Sequence, residues 1–207
     1  MISVERLQRD ATLCGVTLTT EQADSLLRFV ELLQRWNHKF NLTSITDTEE
    51  MITKHILDSL VIAPFIKGDT ILDVGTGAGL PGLVLAVVFP EKQWVLLDSS
   101  QKKIGFLLQA KAQLKLSNIE PVASRVESYQ KPEGFDMILS RAFTSLANML
   151  QQTKHLCRTG GCYLAMKGQY PEEELAALDV PSSAIAVHPL IVPGLNATRH
   201  IVVMTQE

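Results

Sequence analysis

Apolar residues along this 207-residue chain recur in two different rhythms. Up to about residue 65 the spacing is helical. Ala23, Leu26, Leu27, Val30 and Leu33 fall three or four apart, behind Thr19 and Gln22, whose spacing makes a capping box. Asp47 and Glu50 form a second such signal ahead of Met51, Ile52, Ile56 and Leu60. Between them lies the mixed aromatic and polar stretch Trp36 to Thr43, with Asn41 as a candidate helix cap. From residue 70 short apolar runs alternate with helical patterns. This predicts strands near 70–74, 94–98, 119–123, 135–140 and 161–166, with helices over 80–88, 101–115 and 144–156. Such alternation makes a mostly parallel sheet covered on both faces, an α/β fold. A short helix is expected after Pro171, with Glu172 to Glu174 in its first turn. Finally, Ala184–Val192 and His200–Thr205 are strand-like runs joined by only seven residues. That is too short for a crossover helix, so the two strands are expected to be antiparallel neighbours. The organisation expected is a helical N-terminal extension over 1–66 and one compact α/β unit over 67–207.

Composition narrows the class. Forty-six per cent of residues are apolar, enough for a sizeable core, yet no apolar run approaches a membrane span and the first residues do not read as a signal peptide. Cys14, Cys157 and Cys162 are odd in number and lack metal-ligand spacing, so reduced thiols in a cytoplasmic protein are expected, with no metal site. The net charge is −3, but it is unevenly distributed. Residues 66–170 carry 12 Lys and Arg against 8 Asp and Glu, which permits an anionic partner. Nothing suggests an obligate dimer, and a monomer is expected.

The chemistry concentrates where the first predicted strand ends, in Ile71-Leu72-Asp73-Val74-Gly75-Thr76-Gly77-Ala78-Gly79-Leu80-Pro81-Gly82. Strand, glycine turn and helix make a nucleotide-cofactor site at the carboxyl end of a strand. Gly77-x-Gly79-x-x-Gly82 formally matches a dinucleotide fingerprint. Asp73-x-Gly75-x-Gly77-x-Gly79 instead resembles the first motif of S-adenosylmethionine-dependent methyltransferases. A carboxylate beside the turn suits an ammonium and a sulfonium, and it would repel a pyrophosphate. Asp98, ending the second strand, is placed to accept hydrogen bonds from ribose hydroxyls or to cap the following helix. Val126 and Glu127, after the third strand, stand where an adenine edge is met, or form a plain strand end with a surface ion pair. Ser140-Arg141-Ala142-Phe143, ending the fourth strand, has neither the Asn/Asp-Pro-Pro of amino-directed enzymes nor a nearby cysteine for carbon-directed attack.

An ordered set of further segments sharpens the resemblance. Trp36-Asn37 with Asn41-Leu42-Thr43-Ser44, His55-Ile56-Leu57-Asp58-Ser59, the glycine segment, Leu97-Asp98-Ser99, Ser124-Arg125-Val126-Glu127, Ser140 to Phe143, Lys167-Gly168 and Arg199-His200 follow one pattern. Through it the chain resembles the ribosomal RNA small-subunit methyltransferase G (glucose-inhibited division protein B) family, with Ala78 where proline is common. The resemblance implies a Rossmann-like seven-stranded methyltransferase sheet, mostly parallel with an antiparallel last strand. It implies transfer of methyl from S-adenosyl-L-methionine to N7 of a guanine in the 530 loop of 16S rRNA, presented as naked RNA, an assembly intermediate or the 30S subunit. Cofactor contacts are implied at Asp73, Gly75, Gly77, Gly79, Leu80, Asp98, Val126, Glu127 and Arg141. Arg125, Arg141 and Arg199 are expected around the site as cations that position the base or the RNA.

Guanine N7 carries a lone pair and no proton, so no general base is expected, only alignment. Arginine reading guanine through both O6 and N7 would block that lone pair. Any arginine at the base is therefore expected to hold O6 alone, stack, or grip a phosphate. Arg141 has a plainer reading, as an ion-pair partner of Asp73 or Glu127. Lys102, Lys103, Lys111 and Lys115 recur along one helix as phosphate contacts or as a solvated face. The motifs leave open a non-catalytic RNA- and nucleotide-binding assembly factor and a small-molecule methyltransferase. A nicotinamide-dependent oxidoreductase is disfavoured by Asp73.

Overall fold

The computed structural model describes residues 2–141 and 144–206, so the Ala142-Phe143 part of the fourth-strand motif lies outside the described residues. Helix α1 (Val4–Leu13) leads to α2 (Thr20–Phe40), which starts at the expected capping box. Thr19 Oγ1 accepts from Gln22 N–H at 3.2 Å, and Gln22 Oε1 accepts from Thr19 N–H at 3.0 Å. Helix α2 closes on Asn41 in the left-handed conformation, φ 48°, a role Asn fills more readily than most residues. A third helical stretch follows as α3 (Thr48–Met51), a π-helical segment (Ile52–Leu57) and α4 (Asp58–Leu60).

The strands β1 (Thr70–Val74), β2 (Gln93–Asp98), β3 (Ile119–Ala123), β4 (Phe135–Arg141), β5 (Cys157–Lys167), β6 (Ile185–Leu190) and β7 (Arg199–Thr205) form one sheet in the order β3-β2-β1-β4-β5-β7-β6. The first five are parallel, and β7 runs antiparallel between β5 and β6, as the short final connection requires. Helices α5 (Gly82–Val88), α6 (Gln101–Leu114), α7 (Leu146–Thr153) and α8 (Glu172–Ala176) complete the expected elements.

Strand β5 is longer than its apolar run. Phe135 pairs with Cys157 and Met137 with Cys162, so β5 carries a bulge of extra residues at this point. Gly160 at φ +74° lets the chain pass through Arg158-Thr159-Gly160-Gly161, which reads as a turn in sequence.

Apart from the irregularity between Phe135 and Met137, side chains alternate between two apolar layers. Ile71, Trp94, Leu96, Leu139 and Leu164 face a layer shared with α2, α5, α6 and the N-terminal helices. Leu72, Val95, Leu97, Ile138 and Tyr163 face a layer shared with α7. The N-terminal helices thus share a core with the sheet. Gln22 also stitches them together, since its Nε2 donates to Val87 O and Val88 O, the open carbonyls at the end of α5, at 3.1 and 3.0 Å. Asn118 acts alike below the sheet, donating to Ala86 O, Phe89 O and Lys92 O.

Gln22→Ala removes one half of the capping box and both links to α5. We expect it to lower unfolding stability by about 1–2 kcal/mol, read as a fall in denaturant midpoint with unchanged slope.

Candidate active site

The site occupies the carboxyl edge of the sheet at β1, where strand order reverses. Asp73 shares the parity of Ile71 and is fully buried on the helical side. Its Oδ2 accepts from Thr76 Oγ1 at 2.6 Å and from Gly82 N–H at 2.9 Å, tying strand, turn and the start of α5 to one atom. A Cβ at Gly82 would stand 2.6 Å from that oxygen, which explains the glycine. Asp73 Oδ1 is buried with no hydrogen-bond partner among the described residues. The turn itself bends over β2, with Gly75 and Thr76 N–H donating to Leu97 O at 2.9 and 3.0 Å. Gly75, Gly77 and Gly79 all take positive φ. Leu80 is buried in the apolar layer, and its N–H donates to Thr76 O.

Beside the turn is a cavity of about 340 Å³ lined by residues that include Gly75, Asp98, Lys103, Arg125, Val126, Glu127 and Gln152. Asp98 Oδ2 accepts from Gly77 N–H at 3.0 Å and from Lys103 Nζ at 3.1 Å. Its Oδ1 accepts from Ser100 N–H at 2.9 Å, so Asp98 faces the cavity and steadies the start of α6 at once. Val126 is buried in the wall, and Glu127 is exposed at the mouth. Of the four lysines on α6 and its end, Lys103 lines this cavity. Gln152, from α7, is a wall residue that no motif pointed to.

A second cavity of about 390 Å³ opens past the end of β4, lined by Ile45, Lys54, His55, Asp58, Arg141, Met166, Lys167, Gly168 and Arg199. Because β7 is antiparallel, its first residue, Arg199, arrives at the edge where β4 ends in Arg141 and β5 in Lys167. The structure therefore brings Arg141 and Arg199 together and leaves Arg125 in the neighbouring cavity. The partner of Arg141 is neither Asp73 nor Glu127, as its plainer reading had it, but Asp58. Arg141 Nη1 donates to Asp58 Oδ2 at 3.4 Å and to Lys54 O at 3.1 Å, while Arg199 Nε donates to Asp58 Oδ1 at 2.7 Å. Arg141 still lies near enough to Asp73 to stabilise its charged form.

The N-terminal helices build one wall of this cavity. Lys54 and His55 lie in the π-helical segment, a distortion that clusters at functional sites. His55 contacts Lys54 O through Nδ1 at 3.1 Å and Thr43 Oγ1 through Nε2 at 2.9 Å. Asn37 Oδ1 in turn accepts from Thr43 N–H at 2.9 Å. Trp36 stacks on Phe40, with centroids 4.9 Å apart, and meets Phe106 of α6 edge-on. The Trp36–Thr43 stretch thus braces the sheet at one end and reaches the cavity wall at the other. Among the described residues no cluster of His, Cys, Asp and Glu could hold a metal, and no helix is long and apolar enough to cross a membrane. The three cysteines are free.

Residues 22–202 match the family described as rRNA small subunit methyltransferase G. The chain belongs to that family. Ribosomal RNA small subunit methyltransferase G of Aeromonas salmonicida is 51% identical over 187 residues, covering 90% of each chain. The protein of the same name from Marinomonas sp. is 45% identical over the whole length of both. A SAM-dependent methyltransferase of Aquifex aeolicus superposes with a TM-score of 0.60 at 18% identity, covering 81% of this chain and 97% of that one. At that identity the likeness speaks for the fold: the seven-stranded methyltransferase sheet expected from sequence.

Two buried groups of this methyltransferase G family member titrate in opposite senses. Burial pushes the Asp73 carboxyl up to about 7 from 3.8, against the pull of the Thr76 and Gly82 hydrogen bonds. Burial, with Arg141 nearby, pushes His55 down to about 4 from 6.5. Between about pH 4 and 7 the folded chain keeps an Asp73 proton that the unfolded chain has lost, so this contribution makes stability fall as pH rises. Between about pH 4 and 6.5 the unfolded chain holds a His55 proton that the folded chain lacks, so this one makes stability rise. The two oppose each other in wild type. Asp73→Asn is expected to steepen the loss of Tm on acidification from pH 6.5 to 4, and His55→Gln to reverse it. Parallel Tm–pH curves for all three proteins would refute the assignment.

Proposed function

We propose that this chain transfers the methyl group of S-adenosyl-L-methionine to N7 of a guanine in the 530 loop of 16S rRNA, acting as a monomer. A ribosomal substrate makes the cytoplasm its place of work. The residues at the turn fit the cofactor. Asp98 offers carboxylate oxygens to a ribose diol, with the part-exposed Lys103 beside Oδ2. Val126 and Glu127 line the position of the adenine, and the unpartnered Asp73 Oδ1 suits the cationic end. When bound, the cofactor supplies an electrophilic methyl on a sulfonium.

The observation that carries the reading is the state of the second cavity. Its acidic and imidazole groups are already engaged: Asp58 by two arginines, His55 at both ring nitrogens. Every acidic and imidazole group among its described lining residues is thus already bonded, and a guanine N7 needs no proton acceptor. What remains is cationic and suited to RNA, and Arg141 lies close enough to act on Asp73 at the turn. The N7 edge of paired A-form RNA lies in a deep, narrow groove. The target therefore has to be an open loop or an assembly intermediate.

Labelled S-adenosylmethionine incubated with unmodified 30S subunits and with naked 16S rRNA is expected to yield a single 7-methylguanosine in the 530 loop. Cofactor binding without transfer to either RNA would refute the reading. Arg141→Ala is expected to lower transfer at least ~10²-fold with the fold intact, the size of effect that misplaced reactants produce.

A further inference from the structure

The four cations around the second cavity are not equivalent. Lys54 Nζ pairs with Glu50 at 2.7 Å, and Lys167 Nζ sits between both oxygens of Glu174 and Thr144 O. Each lysine thus has a carboxylate of its own. Arg141 and Arg199 share one, Asp58, whose side chain is 3% exposed, which leaves a surplus positive charge at the cavity.

Donor counting shows what this surplus can do. Both hydrogens of Arg141 Nη1 are used, on Lys54 O and Asp58 Oδ2. Arg199 uses Nε on Asp58 Oδ1 and one Nη1 hydrogen on Thr198 O. Among the described residues each guanidinium keeps three N–H donors. Two arginines each tethered to one buried carboxylate and to a backbone carbonyl lose little side-chain freedom on meeting a ligand.

We infer that Asp58 is a positioning residue for the reaction, holding Arg141 and Arg199 as one preset cationic unit whose remaining N–H groups grip the RNA phosphate beside the target guanine. Asp58 touches neither base nor cofactor and acts through the arginines. The clamp rests on the RNA methyl-transfer reading above, and it makes the N-terminal helices part of the catalytic apparatus.

The sign of one effect separates the clamp from simple electrostatics. Deleting a carboxylate raises the positive charge, so on charge alone Asp58→Ala should bind RNA more tightly. The clamp requires the opposite. We expect Asp58→Ala to raise KM for 16S rRNA and lower kcat/KM by ~10–10²-fold, with cofactor Kd changed less than threefold. It should also weaken binding of an RNA hairpin of the 530-loop sequence and flatten the salt dependence of that binding by about one phosphate contact. In an Arg141→Ala/Arg199→Ala background, Asp58→Ala should cost nothing further. The same factor lost in both backgrounds, tighter hairpin binding, or joint loss of RNA and cofactor binding would overturn the clamp. Should Asp58→Ala fail to fold, Asp58→Asn, which keeps an acceptor for Arg199 Nε, carries the same comparison. Wild-type enzyme that binds the hairpin but methylates no RNA would fail the function while leaving the clamp to be judged by hairpin binding.

Discussion

Strand β1 stops at Val74, and the side-chain alternation of the sheet turns Asp73 toward the helical layer, so a carboxylate is buried beneath the glycine turn. Its Oδ2 receives a hydroxyl from Thr76 and the N–H of Gly82. That one oxygen sets where the turn leaves β1 and where α5 begins. Gly75 and Thr76 are thereby held over Leu97, Gly77 over Asp98, and the cavity next to the turn acquires its floor. The burial that makes this anchor also leaves Oδ1 unpartnered and favours the protonated acid. A partly unsatisfied group in an otherwise well-paired core is tolerable where a ligand completes it.

The second half of the site depends on direction rather than on any turn. Were β7 parallel to β5, Arg199 would lie at the far edge of the sheet from Arg141. Running antiparallel, it brings its first residue to the edge where Lys167 lies, and Asp58 closes the gap from the N-terminal helices. Strand order and strand sense therefore decide the chemistry of the cavity as much as residue type does.

Much of the fold was legible because local signals agreed with one another. The apolar runs at 70–74 and 119–123 match β1 and β3, and the Thr19 capping box opens α2 where expected. The bulge of β5 was not legible, because Arg158-Thr159-Gly160-Gly161 carries turn residues that tertiary pairing overrides. Nor was the π-helical segment, whose apolar positions look like those of any α-helix. At the site, Asp73, Asp98, Val126 and Glu127 stood out from their places at strand ends. Asp58 was visible as part of His55-Ile56-Leu57-Asp58-Ser59, but nothing local told of its burial or its two arginines. Its partners lie 83 and 141 positions away, beyond the reach of any periodicity.

That separation has a consequence for how the protein comes into being. The carboxylate of the clamp, Asp58, is made early, Arg141 later, and Arg199 later still. Contacts of such span form late and lower folding rates. A nascent chain that has already formed the glycine turn and β1 through β4 still lacks one jaw of its cationic grip. While it is being synthesised on a ribosome, itself rich in rRNA, the emerging protein lacks the second arginine of the clamp proposed above.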